Sequence, residues 1–177
     1  CFHPVTLEPK TEKNYIEQIL KALIIFNKIN LIFTSSNADH GFKNIIKKIK
    51  SFVKKNKNAY YIKSFGRDNY LSCLKLSKVI LGNSSSGIIE APSLKTVTIN
   101  LGKRQKGRIQ SKSVVNCKVN TFQIKNTVKK LLFKKSSSKK KYFFNPYFKK
   151  NTSTLIVKQL EKINYKSLIQ KKFFYIN

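Results

Sequence analysis

Between Lys78 and Arg108 the chain reads KVILGNSSSGIIEAPSLKTVTINLGKRQKGR, and its chemistry-bearing residues are Ser84, Ser85, Glu90, Arg104 and Arg108. The run from Gly82 to Gly87 interrupts an apolar strand with small, hydroxyl-bearing residues. A helix opening at Ser84 or Ser85 would leave backbone N–H groups free and a partial positive charge at its first turn. Small residues let a phosphate approach the backbone there, and the serine hydroxyls add donors. Glu90 falls at the far end of that short helix. A carboxylate is unsuited to phosphates but suited to the vicinal hydroxyls of a ribose, from which both its oxygens can accept. Arg104 and Arg108, on a glycine-flanked loop, could clamp a diphosphate from the other side. For the SSSG run alone, an ordinary serine cap before a surface turn is the simpler reading. The glutamate and the arginine loop together favour an anion cradle.

The elements that must position these residues follow from periodicity. Lys78–Leu81 is a short apolar strand, Ile88–Ala91 a short helix ending near Pro92, and Thr96–Asn100 a β-branched strand. Upstream, Cys1-Phe2 resembles the tail of a strand, with His3 in its exit loop. Glu12–Lys28 is predicted helical on the spacing of Ile16, Ile19, Leu20, Leu23, Ile24 and Phe26, with Thr11 as its cap. Asn30–Thr34 and Ala59–Lys63 read as strands. Phe42–Val53 reads as a helix that Asp39 caps, with Ile45, Ile46, Ile49 and Phe52 inward, and a further helix surrounds Tyr70–Leu76. Ser113–Cys117 is an edge strand and Thr121–Phe133 an amphipathic helix capped by Thr121. Residues 134–144 form a Lys/Ser-rich loop, and 145–177 a helical tail containing Thr152–Ile163 and a short Ser167–Phe173 segment. The β-α-β-α-β-α-β-α-β order predicts an α/β fold, a doubly wound parallel sheet of Rossmann-like type. Ligands bind such sheets at the carboxyl ends of the strands. His3, Asn37, Phe65, Ser84, Ser85 and Arg104 all fall in loops at that edge.

Composition narrows the partners. The 177 residues suffice for a domain with a real core, and no run of about 18 apolar residues marks a membrane span. The net charge of +30 invites a nucleic-acid reading, but of 37 basic residues only Arg67, Arg104 and Arg108 are arginine. With abundant Asn and Ile, that bias reads as AT-rich codon usage on neutral surface. A nucleic-acid groove would keep arginine and interleave aromatics. Where lysine suffices this chain uses lysine, so its three arginines point to sites that need a planar fork. Cys1, Cys73 and Cys117 lack metal or disulfide spacing and fit a reducing cytoplasm. His3 and His40 lack the partners of a metal cluster, so neither a metal nor a cofactor is expected. The chain begins at Cys1 in mid-strand and reads as the C-terminal part of a longer protein.

Several stretches together resemble the hydrolysing UDP-N-acetylglucosamine 2-epimerases of sialic-acid and related nonulosonate biosynthesis. They are HPVTLE (3–8), FTSSNADHG (33–41), KSFGRDNYL (63–71), GNSSSGIIEAPS (82–93), INLGKRQKGR (99–108), NPYFKKNTS (145–153) and IQKKF (169–173). The resemblance implies that residues 1–177 are the C-terminal, nucleotide-binding domain of a glycosyltransferase-B type two-domain fold, with the N-terminal domain absent. It implies that His3 reaches the diphosphate and sugar and serves catalysis, and that Asn37 lines the nucleotide site. Phe65, Gly66 and Arg67 would hold the uracil, Ser84 and Ser85 the diphosphate, Glu90 the ribose, and Arg104 the phosphates. The NSSSG turn, single Glu90 and KRQKGR loop resemble the hydrolysing branch rather than the non-hydrolysing one. The implied reaction is anti elimination of UDP across C1–C2 to a 2-acetamidoglucal, then addition of water. Its catalytic carboxylates would lie in the N-terminal domain. The implied partners are a UDP-sugar and the missing domain, with homo-oligomerisation left open. A nucleotide-sugar glycosyltransferase of the same fold and a basic binding module are the rival classes.

Overall fold

The structure is a computed structural model that describes residues 1–5, 12–133 and 140–168. It divides into two units, residues 1–146 and 147–177. Among the described residues the first carries five short strands, five α-helices and a 3-10 turn at Lys140–Phe143: α1 (Glu12–Leu23), β1 (Leu31–Thr34), α2 (Phe42–Lys55), β2 (Ala59–Ile62), α3 (Arg67–Leu76), β3 (Val79–Gly82), α4 (Ser86–Ile89), β4 (Val97–Leu101), β5 (Val114–Cys117) and α5 (Thr121–Phe133). The second carries α6 (Thr152–Glu161), whose residues are exposed throughout, followed by a 3-10 turn at Tyr165–Leu168. The end of the expected Ser167–Phe173 segment, the Thr11 cap and most of the 134–144 loop lie outside the described residues.

Every strand pairing is parallel. β1 pairs with β2, and β3–β4–β5 form a second ladder in that order. Alternation along β4 puts helices on both faces. Ile99 and Leu101 join the core cluster that includes Ile124 and Val128 of α5 and Ile16, Ile19 and Leu20 of α1. Thr98, on the opposite face, donates to the Gly87 carbonyl of α4 at 2.7 Å, and Thr96 donates to the Leu74 carbonyl of α3 at 2.8 Å. This is the doubly wound α/β arrangement expected from the element order. On α2 the buried residues Ile45, Ile49 and Phe52 follow one helical face.

Three local expectations are corrected. α1 ends at Leu23 rather than Lys28, and Ile24 is 56% exposed. The chain turns there so that Phe26 enters the core, and Asn58 Nδ2 donates to the Phe26 and Ile29 carbonyls at 3.0 and 2.6 Å. The cap of α5 is Asn120, whose Oδ1 accepts from the Phe122 and Gln123 amides, while the Thr121 hydroxyl bonds Gln18 of α1. Asp39 gives α2 its backbone carbonyl, not a side-chain cap, and Gly41 stands at the cap position with φ 86°.

The single sheet foreseen from sequence is instead two ladders. Cys1-Phe2 is not an extended strand but makes one rung beside β3. The Cys1 amine donates to the Leu81 carbonyl at 2.9 Å and the Asn83 amide donates to the Cys1 carbonyl at 3.2 Å. That rung explains Gly82. A Cβ there would lie 1.6 Å from the Cys1 oxygen, at φ +146°, so only glycine fits.

Candidate functional site

The loops leaving the carboxyl ends of β1, β3 and β4 converge on Asn83, which is fully buried. Its Oδ1 accepts from the His3 amide at 2.7 Å and its Nδ2 donates to the His3 carbonyl at 2.8 Å. Its backbone carbonyl accepts from Arg104 Nη1 at 3.1 Å and Gln105 Nε2 at 2.9 Å. A parallel sheet has nothing but loops at this edge, so side-chain amides and a guanidinium must satisfy the turn's polar groups.

His3 extends the network. The Asn37 amide donates to His3 Nδ1 at 2.9 Å, and His3 Nε2 lies 3.3 Å from Cys1 Sγ. Because Nδ1 accepts, the neutral ring carries its proton on Nε2, directed at the thiol. Burial, then the Arg104 guanidinium and the Cys1 amine, lower the ring to about 4 against an opposing Asp39, so His3 is uncharged at neutral pH.

The serine turn follows. α4 is a single turn capped by Ser85, as expected of its start, but with four residues it sums few peptide dipoles. Its anion-binding capacity therefore rests on individual donors. The Ser86 amide turns inward to Ser84 Oγ at 3.3 Å, whereas the Ser84 and Ser85 amides donate to no atom of the described residues. Glu90 closes the turn, and its Oε2 is buried without a hydrogen-bond partner among the described residues. Beside it the Tyr70 hydroxyl bonds the Ser86 hydroxyl at 2.6 Å. Burial and the nearby Glu90 charge raise the Tyr70 phenol above its ordinary range, against the Ser86 bond.

The structure thus joins His3, the Asn37 backbone, the Ser84–Ser85 turn and Arg104 through Asn83. Gly66 is linked only indirectly, its carbonyl accepting from the Tyr70 amide at 3.2 Å. Phe65 is half-buried, while the side chains of Asn37 and Arg67 are exposed and bond no site residue. Arg108 is exposed on the same loop as Arg104. Sequence reasoning missed Asn83, Gln105, Tyr70 and Ser86. The asparagine between Gly82 and the serines was the one available signal, since a buried turn needs a side chain with both donor and acceptor. Among the described residues no group of three or more His, Cys, Asp or Glu could hold a metal, and no helix is long and apolar enough to cross a membrane.

Residues 1–161 match a family described as UDP-N-acetylglucosamine 2-epimerase. The chain belongs to that family. Polysialic acid biosynthesis protein P7 of Escherichia coli is 40% identical over 151 residues, which are 85% of this chain and 38% of the relative. The GDP/UDP-N,N'-diacetylbacillosamine 2-epimerase (hydrolyzing) of Campylobacter jejuni is 38% identical over 120 residues, 67% of this chain and 31% of the relative. Among solved structures, the Neisseria meningitidis UDP-GlcNAc 2-epimerase bound to UDP-GlcNAc superposes with a TM-score of 0.61 at 21% identity. The superposition covers 85% of this epimerase-family chain and 41% of that one. The fold is accordingly the C-terminal half of a glycosyltransferase-B type architecture. The chain spans less than half the length of each of these three relatives.

Proposed function

We propose that this chain is the UDP-binding half of a hydrolysing UDP-N-acetylglucosamine 2-epimerase that releases UDP and N-acetylmannosamine or a related 2-epimerised sugar. The observation that carries the reading is the buried Glu90 Oε2, which has no hydrogen-bond partner among the described residues, beside a serine turn whose Ser84 and Ser85 amides donate to none of them. A buried carboxylate oxygen without a donor is unfavourable, and a ribose hydroxyl would satisfy it. The curated relatives described as hydrolysing 2-epimerases support the same chemistry.

In this reading the Ser84 and Ser85 amides and hydroxyls take the diphosphate. Arg104, already tied to the Asn83 carbonyl, spreads positive charge over the departing phosphate oxygens. Glu90 binds the ribose, Phe65 to Arg67 form the uracil wall, and Asn37 closes the far side. Both nitrogens of the His3 ring are engaged within the chain, so His3 acts as a positioning residue that ties the Asn37 loop to the Asn83 turn. Removal of the C2 proton needs a base, and the proposed partner lobe supplies the carboxylates for it. The chain alone then binds UDP without turnover. The three free cysteines suit a reducing compartment, and the cytoplasm is the proposed location.

Calorimetric titration of UDP tests this. UDP binds the chain, and Glu90→Ala weakens binding on the order of tenfold or more, as expected for loss of a charge-assisted hydrogen bond. Equal affinity for the variant, or release of N-acetylmannosamine by the 177-residue chain, would overturn the reading.

A further inference from the structure

The turn that carries Glu90 is gripped from a distant part of the chain. Asn145 Nδ2 donates to the Ile89 carbonyl at 2.7 Å and to Ser93 Oγ at 2.6 Å. Both N–H bonds of one side-chain amide are thereby spent on residues flanking Glu90, across 56 and 52 positions of sequence. Asn145 opens the NPYFKKNTS stretch and is itself held from both sides. Ser111 Oγ donates to the Tyr142 carbonyl at 3.1 Å, which ties the preceding 3-10 turn to the loop between β4 and β5. Pro146 restricts the backbone of the residue before it to extended conformations.

The grip falls on one peptide plane. The Ile89 carbonyl and the Glu90 amide belong to the same planar unit, and displacement of that unit carries the Glu90 Cα with it. The Glu90 amide donates to the Ser86 carbonyl at 3.0 Å, which pins one edge. The other edge, the Ile89 carbonyl, stands where α4 ends. The Ser93 amide, four residues on, turns to the Glu90 carbonyl at 3.1 Å instead. Asn145 therefore supplies the donor that the helix no longer does. Beyond Glu90 the same nitrogen holds the Ser93 hydroxyl. Glu90 Oε2 has no hydrogen-bond partner among the described residues, so that oxygen is aimed by the backbone rather than by a bond of its own. Asn145 is only half-buried, so water can replace it as a donor, and its loss falls on direction more than on stability.

We infer that Asn145 is a positioning residue for Glu90: by holding the Ile89 carbonyl and the Ser93 hydroxyl on either side, it fixes the carboxylate where a ribose hydroxyl reaches it. This rests on the reading of Glu90 as the ribose ligand, and assigns Asn145 no contact with the nucleotide.

A double-mutant cycle read by calorimetric titration of UDP tests it. In the native background Glu90→Ala is expected to weaken UDP on the order of tenfold. In the Asn145→Leu background, similar in shape but without N–H donors, Glu90→Ala is expected to change affinity by less than about twofold, because the carboxylate is no longer placed. Asn145→Ala carries the same comparison should Asn145→Leu fold poorly. The 2′,3′-dideoxy form of UDP keeps the uracil and the diphosphate but offers Glu90 no hydroxyl. It is expected to bind the native and Asn145→Leu chains within about twofold of each other. Asn58→Ala is the control, since Asn58 Nδ2 likewise donates to two backbone carbonyls, those of Phe26 and Ile29, at the amino end of β2. It is expected to lower the thermal midpoint and leave the effect of Glu90→Ala on the order of tenfold. An undiminished effect of Glu90→Ala in the Asn145 variants would overturn the inference. So would an equal loss of UDP and dideoxy-UDP binding in those variants, because Asn145 would then merely hold the turn together. No effect of Glu90→Ala in the native background would overturn the ribose reading itself, and the inference with it.

Discussion

The Asn83 side chain holds the His3 backbone at both ends, accepting from its amide and donating to its carbonyl across 80 residues of sequence. The asparagine is fully buried and its own carbonyl accepts from Arg104 and Gln105, so one residue joins three loops. Asn83→Ala is expected to destabilise the fold by about 2–4 kcal/mol, since two buried backbone groups lose their partners. Asn83→Asp keeps the acceptor, loses the donor and buries a charge, so it should be at least as damaging. Urea denaturation of both variants checks this, and loss of less than about 1 kcal/mol in either would remove Asn83 from its central place.

Acid should weaken the fold through His3. Its ring titrates near 4 in the folded chain against 6.5 in the unfolded one. Above pH 6.5 both states are neutral and the full stability is present. As the pH falls from 6.5 toward 4 the unfolded chain takes up a proton that the folded ring refuses, so stability declines by up to about 3 kcal/mol and then levels off. Denaturation midpoints between pH 7 and 4 should therefore slope more steeply for the native sequence than for His3→Gln. Parallel slopes would show that His3 is not held neutral.

Two glycines with positive φ should respond differently to alanine. At Gly82 the added Cβ would fall 1.6 Å from the Cys1 carbonyl, so Gly82→Ala must displace the Cys1–His3 segment. A loss of about 3 kcal/mol or more is expected from that displacement together with backbone strain. At Gly66, φ +68° and ψ 176°, no described atom beyond the chain neighbours lies within 4 Å of the new Cβ, and Gly66→Ala should cost only backbone strain of about 1–3 kcal/mol. Thermal unfolding of the two variants measures the difference.

Arg104 is fixed by its bond to the Asn83 carbonyl, whereas the neighbouring Lys103 is exposed. Arg104→Lys is expected to lower UDP affinity on the order of tenfold, because an ammonium cannot hold the carbonyl and a phosphate with one planar fork. Lys103→Ala should change it by less than about twofold, as screened surface charges do. Titration calorimetry distinguishes the two, and equal effects would mean that bulk charge, not geometry, attracts the nucleotide.

Much of this molecule was legible in its residues because the signals are local. The spacing of Ile45, Ile49 and Phe52 encodes a buried helix face, Gly82 and the serines mark where β3 must break, and Ser84 and Arg104 fall in the loops that a parallel βα order sends to one edge. Those features depend on residues within a turn or two of one another, where periodicity and backbone freedom decide the outcome. Tertiary structure alone decided that Asn83 reaches back to His3, that the Tyr70 hydroxyl bonds Ser86, and that β1 and β3 face each other across an open slot. Each of these joins residues 16 or more positions apart. A hydrogen bond between distant segments leaves no period in the sequence, and becomes determinate only when packing brings its donor and acceptor together.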